Sequence, residues 1–172
     1  MTLLLLGTQM MPVILYLVPL FSVFKTIKLI DSPAALVIFN IILQTPFNTL
    51  LMRSFVNGVP KELDEAAKID GCSYPQIFGR VILPLITPAL VTGGIFSFMW
   101  RWDDFLSALL YVNKSIKYPV SLALKLFCDP GSSSDYGAMF AMASLSILPS
   151  VIIFIFFQKY LVEGISTSGL KG

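Results

Sequence analysis

Two clusters of side chains in this sequence have types and spacing suited to recognition. The first is Trp100-Arg101-Trp102-Asp103-Asp104, set inside an otherwise apolar run. Charges in such runs are costly and usually face a bundle interior or a water-filled path. Arg101 and Asp104 stand three residues apart and suit a local ion pair. Tryptophan beside carboxylates suits a sugar, which stacks on the ring and hydrogen-bonds through its hydroxyls. Trp102, Asp103 and Asp104 are therefore candidates for a solute path. The same segment also reads as an interface marker, because tryptophan collects where an apolar span meets water.

The second cluster is polar and covers residues 57–79, within a loop expected over 57–80. It predicts two short helices with a tight reversal between them. Pro60 fits a first helical position, and Glu62, Asp64 and Glu65 crowd the positive end of the helix dipole. Leu63, Ala66, Ala67 and Asp70 share one face, and Gly71 is where such a helix stops. Ser73 followed by Gln76 forms a capping-box pattern that opens a second helix, with Ile77, Phe78 and Val81 on its face. A solvated linker is one reading of this stretch. The other is a folded protrusion whose small-residue face docks into a partner's groove.

Catalytic chemistry has little to work with here. Histidine is absent, no nucleophile–base pair stands out, and no GxxxxGK[ST] phosphate loop is present, so the chain is not expected to hydrolyse ATP. Cys72 and Cys128 are the only cysteines, and neither belongs to a metal-spaced pair. No bound cofactor or metal is expected. The net charge is +2 and no basic stripe exists, so nucleic acid is not an expected partner.

The elements that must position these clusters are apolar helices. Hydrophobic residues make up 56% of the 172 and charged ones 13%, about half the usual charge content; mean hydropathy is +0.81. Residues 1–24, 32–52, 81–100 and 136–158 carry no charge at all. Each is close to the roughly 20 residues that cross a bilayer as a helix. This pattern excludes a soluble enzyme, a secreted disulfide module and a disordered chain. It predicts an all-α, polytopic membrane protein with spans near 2–24, 33–53, 84–110 and 136–158, one transmembrane domain over 1–172. Pro12, Pro19, Pro46, Pro84 and Pro88 are tolerated where neighbouring helices satisfy the backbone. Gly93-Gly94 is a flexible pair in the third span, and the small residues Ala138, Ala141, Ala143, Ser144 and Ser146 allow close packing of the last. A single span separates Cys72 from Cys128, so the two are expected on opposite membrane faces. The chain enters its first apolar run at Leu3 without a basic or polar flank, as if starting inside a helix.

Glu65-Ala66-Ala67, three residues, Gly71, nine residues, then Val81-Ile82-Leu83-Pro84 resembles the EAA loop of binding-protein-dependent ABC importer permeases. Val81 stands where isoleucine is usual. The string from Pro60 to Gly71 is similar to the carbohydrate-uptake branch, typified by the maltose importer's G-type subunit. Gln9-Met10-Met11-Pro12, Trp102-Asp103-Asp104-Phe105 and the tail ending Gly169-Leu170-Lys171-Gly172 are similar to that branch as well, so the resemblance runs collinearly along the chain.

The resemblance implies a permease subunit that moves a sugar or related solute across the cell membrane. Its implied partners are ATPase subunits that hydrolyse the ATP, a second permease subunit, an extracytoplasmic solute-binding protein and the lipid bilayer. It also implies that the EAA loop is the cytoplasmic coupling helix, built from Leu63, Glu65, Ala66, Ala67, Asp70, Gly71, Phe78, Leu83 and Pro84. Glu65 then reads either as a charged contact with the ATPase or as a helix-dipole carboxylate. Lysine and arginine are spread too evenly over the loops to set orientation, so the motif alone puts the loop and C-terminus in the cytoplasm. Members of the family have six transmembrane helices and this chain aligns with the last four, so the first two are expected upstream. The alternatives are an inactive permease fragment or a small membrane scaffold that keeps the EAA loop without transport.

Overall fold

The computed structural model describes residues 2–127 and 135–169, and among these every regular element is helical. Cys128 and the tail residues 170–172 lie outside the described residues. The chain opens with α1 (Thr2–Met10) and α2 (Ile14–Thr26), followed by the long α3 (Pro33–Val56). Ser32 caps α3, its hydroxyl accepting the Ala34 N–H at 3.2 Å, and Pro33 occupies a first-turn position where no N–H is needed. At 1.5 Å per residue the 24 residues of α3 reach about 36 Å, enough to cross a bilayer. Two short helices follow, α4 (Lys61–Ile69) and α5 (Tyr74–Ile77). A π-helical turn (Phe78–Ile82) carries α5 into α6 (Leu83–Leu85), and the chain continues through α7 (Thr87–Trp102), α8 (Leu106–Tyr111) and α9 (Val120–Ala123) to α10 (Tyr136–Gly169).

Four apolar runs were expected to give four spans, and two of them are bent. α3 and the Tyr136–Tyr160 part of α10 are continuous helices long and apolar enough to cross. The first run is instead a pair, α1 and α2, meeting at 93°. Pro12 lies in the break: it offers no N–H to the helical ladder, and the chain restarts with Leu15 and Tyr16 bonding back to the carbonyls of Pro12 and Val13 at 3.0 Å. Pro19 and Pro46 remain inside their helices. The third run bends by 66° between Tyr74–Leu85 and Thr87–Trp102, with Pro84 and Pro88 on either side of the joint. It breaks again after Trp102, because the Asp104 carboxylate accepts the Ser107 N–H at 3.2 Å and starts α8 afresh.

Tyr111 is the hub of the main core. It is fully buried among Leu17, Phe24, Ala35 and Phe39. Its ring meets Phe24 and Phe39 edge-on at 5.2 and 5.3 Å, and its hydroxyl donates to the Leu17 carbonyl at 2.9 Å. This ties α2, α3 and α8 together. α7 is bound to α10 by two hydrogen bonds, from the Thr92 hydroxyl to the Tyr160 carbonyl at 2.9 Å and from the Trp102 indole to the Ser146 carbonyl at 2.8 Å. α3 and α7 meet at Gly93, where an added Cβ would stand 2.9 Å from Asn48 Oδ1. A side chain there would have to push the Asn48 amide aside.

Candidate functional site

The loop between α3 and α6 is a folded arm. Glu62 and Asp64 sit in the first turn of α4, which begins after Pro60. Asp64 pairs with Lys68 at 3.8 Å on an exposed face, a contact of small energetic value. The helix ends as its sequence demands. The Asp70 N–H bonds to the Ala66 carbonyl, Gly71 to Lys68 and Cys72 to Ala67, each at 3.0 Å, and Gly71 takes φ +77°. The space around Gly71 is open, so its backbone conformation and not crowding requires glycine. Past the turn, the Ser73 N–H donates to Gln76 Oε1 at 2.8 Å, and the Ser73 hydroxyl donates to the same oxygen at 3.0 Å.

Of the residues expected to act in this arm, Ala67 alone is buried, together with Ile77 of the second helix. Glu65, Ala66, Asp70 and Gly71 are exposed. Leu63, Phe78 and Leu83 are exposed apolar side chains, and Pro84 beside Leu83 is exposed too. Two neighbours not singled out from sequence join them, Ile69 at 86% exposure and Tyr74 at 79%. Lys68 lies over the Tyr74 ring at 5.7 Å, bridging the two short helices. Exposed apolar side chains on the arm thus extend beyond the alanine stripe.

The second site lies where α7 gives way to α8. Arg101 pairs with Asp104, as their spacing predicts, and also donates to Ser107 Oγ at 3.1 Å. Asp104 accepts from the Ser107 hydroxyl too, closing a three-residue network. Trp102 stacks on Phe98 with centroids 5.5 Å apart and planes 18° apart. A cavity of about 570 Å³ opens between α3, α7 and α8, lined by Trp102 and Asp104 but not by Asp103, which is exposed. Most of its wall is apolar. Its polar members come from Arg101 and Asp104 and from residues the sequence reading passed over, Asn40, Gln44 and Ser97. Gln44 donates to the Ser97 carbonyl at 3.3 Å, and Asn48 to the Ser97 hydroxyl at 3.1 Å. The spacing of Asn40, Gln44 and Asn48, four residues apart in an apolar helix, is a signal for this polar stripe that was available beforehand.

A family model described as "Binding-protein-dependent transport system inner membrane component" matches residues 1–167. The chain is 34% identical to the diacetylchitobiose uptake system permease protein DasC of Streptomyces coelicolor, over 95% of this chain and 59% of that one. It is 32% identical to the arabinooligosaccharides transport system permease protein AraQ of Halalkalibacterium halodurans, over 95% of this chain and 57% of that one. The sulfoquinovosyl glycerol transport system permease protein SmoH of Agrobacterium fabrum is 31% identical over 98% of this chain and 59% of its own. The chain spans little more than half the length of the relatives it matches.

Proposed function

The chain belongs to the family of binding-protein-dependent transport system inner membrane components, and from that premise we propose that it works as the permease subunit of an ATP-driven importer. In this reading it is a multi-pass protein of the cell membrane and passes a sugar or related solute delivered by an extracytoplasmic binding protein. ATP is hydrolysed by partner ATPase subunits; this chain holds no nucleotide and no cofactor. A second permease subunit completes the pathway. The carbohydrate class rests on the names of the relatives, which concern oligosaccharides and a sugar glycoside.

The observation that carries the reading is the arm at the end of α3. Its turn is fixed by Gly71 and by the Ser73–Gln76 contacts. It runs without a non-helical break from α5 through the π-turn into α6. An arm of this kind transmits a push to the membrane helices. Its outer face presents Leu63, Ile69, Tyr74 and Phe78 to whatever docks there. Trp102 and Asp104 form one wall of the solute path in this proposal, with Trp102 giving a ring face to a sugar and Asp103 left outside it. Uptake by the assembled complex in proteoliposomes tests it: Phe78→Asp should abolish solute-stimulated ATP hydrolysis while the chain still inserts. Uptake and ATPase binding unchanged in that variant and in Leu63→Asp would leave the arm a linker and sink the proposal.

A further inference from the structure

The cavity between α3, α7 and α8 carries hydrogen-bonding groups that the contacts between helices leave unused. Its volume, about 570 Å³, falls within the roughly 300–1,000 Å³ typical of small-molecule sites. Among the described residues that line it, only Arg101 and Asp104 are charged, and they pair with each other. Asn40 and Gln44 stand four residues apart on α3, so their amides share one face, about 6 Å apart by helix rise. The Gln44 amide nitrogen donates to the Ser97 carbonyl at 3.3 Å, which keeps its Oε1 as an acceptor. Two further atoms have no such use. Asn40 Oδ1 and Arg101 Nε are buried and meet no hydrogen-bond partner among the described residues.

Unpaired buried polar atoms are rare in folded proteins, because each carries a desolvation penalty. These two belong to side chains that line the same cavity, and they are opposite in kind. The amide oxygen needs a donor and the guanidinium N–H needs an acceptor. The last torsion of an asparagine is soft, so the Asn40 amide can turn towards the space that it lines. A hydroxyl group both donates and accepts, and so serves either atom. A carboxylate offers acceptors alone and an ammonium donors alone. Charge narrows the choice further. The Arg101 guanidinium is already neutralised by Asp104, so an acidic ligand finds no free counter-charge. A basic one would have to take Asp104 from Arg101 and leave that cation unpaired.

We propose that this cavity is a subsite for an uncharged, polyhydroxylated solute, in which Asn40 and Gln44 select the hydroxyl groups and the balanced Arg101–Asp104 pair excludes acidic sugars. The proposal rests on the permease reading above and narrows its solute to the neutral class. Asn40 Oδ1 and Gln44 Oε1 each accept from a solute hydroxyl, and Arg101 Nε donates to one. The apolar wall beside Trp102 takes the C–H face of the same molecule.

Saturation-transfer NMR on the full transporter in lipid nanodiscs, without its solute-binding protein, tests the subsite. The neutral probes are cellobiose, lactose and xylobiose; cellobionate and lactobionate are their acidic counterparts. Transfer to the neutral probes should exceed transfer to the acidic ones roughly tenfold. Asn40→Leu and Gln44→Leu should each lower it roughly three- to tenfold, the range expected from one lost hydrogen bond. Asn40→Leu should meanwhile hold or raise the melting temperature, because it removes an unpaired buried oxygen. Asp104→Asn keeps an acceptor for the Ser107 N–H but leaves Arg101 un-neutralised, so it should shift preference towards lactobionate. Binding is read here without turnover, so a failure of uptake in proteoliposomes would leave the subsite standing. Equal transfer to neutral and acidic probes, no transfer to any neutral probe, or unchanged transfer in both leucine variants would overturn it. A melting temperature lowered in step with the lost transfer would do the same, by assigning Asn40 to packing.

Discussion

Single residues in this protein are fixed by backbone conformation as often as by contact. Gly71 is the clearest case. With φ +77° and open space around it, Gly71→Ala should cost the arm about 1–2 kcal/mol through the left-handed backbone alone. Hydrogen exchange at the Cys72 amide, which closes that turn, should speed up accordingly. Ala67 behaves differently from what its place in the alanine stripe suggests. It is 8% exposed and turned inward, so Ala67→Trp should overpack the arm itself by about 1–3 kcal/mol and show as easier proteolysis of the loop. Asp31 gives a pH prediction. The Lys114 N–H holds its carboxyl below the ordinary carboxylate range; burial opposes it, and the Asn113 N–H and Lys117 add to the lowering. A depressed folded-state pKa gives a contribution that is complete above the unfolded value and lost as pH falls through the folded one. The Asp31 carboxylate holds the segment after α8 through the Asn113 and Lys114 N–H groups at 3.1 and 3.0 Å, so a fluorine label at Ile116→Cys should report a fixed segment from about pH 8 to pH 5. Its line should sharpen only in stronger acid. Loss of order near neutrality would contradict the assignment.

Among the elements, the contact of α3 with α7 depends on one glycine of an adjacent pair. A Cβ on Gly93 would stand 2.9 Å from Asn48 Oδ1 and displace that amide, with Leu51 in ordinary contact at 3.4 Å, whereas one on Gly94 would meet nothing within 4 Å. Gly93→Ala should destabilise by about 0.5–1.5 kcal/mol, because the displaced Asn48 amide loses its bond to Ser97. Gly94→Ala should be neutral or stabilise by up to about 1 kcal/mol, because alanine is the better helix former. Thermal unfolding in detergent separates the two, and equal effects would mean that α3 and α7 do not pack as described. The break between α7 and α8 is likewise a built feature. Asp104 starts the second helix through the Ser107 N–H, neutralises Arg101, and accepts the Ser121 hydroxyl at its own carbonyl. The helix pays for that interruption in lost ladder bonds, and the network of Arg101, Asp104 and Ser107 offsets it.

At the level of the whole molecule, the arm and the turn at Asp31 lie at opposite ends of α3, about 36 Å apart by helix rise. Both are connected to the cavity, the arm through α6 and α7 and the turn through Pro33 at the start of α3. If the arm docks an ATPase subunit, its exposed aromatics should act as anchors. Tyr74→Asp and Phe78→Asp should each lower co-purification of that subunit roughly tenfold or more, and Asp31→Asn should leave it unchanged. Quantitative immunoblots of the purified complex check both.

The amino-acid sequence by itself determined that this is an all-α membrane protein. It did so because the absence of charge over about 20 residues is a property of composition, and a bilayer tests composition directly. Local signals also sufficed for the arm, where the Gly71 stop and the Ser73–Gln76 contacts involve residues no more than four apart, and for the Arg101–Asp104 pair. Tertiary structure decided the rest. Only the packing of the two short helices turns Ala67 inward and leaves Ile69 and Tyr74 exposed. Only the meeting of α3 with α7 makes a cavity from Asn40, Gln44 and Trp102 while leaving Asp103 outside it. Asp31 drew no attention in the sequence, standing in a short polar link, because its partners are some 80 positions away. Helical periodicity carries information over a turn or two; contacts between separate helices depend on bend angles and on where a glycine lets two backbones approach.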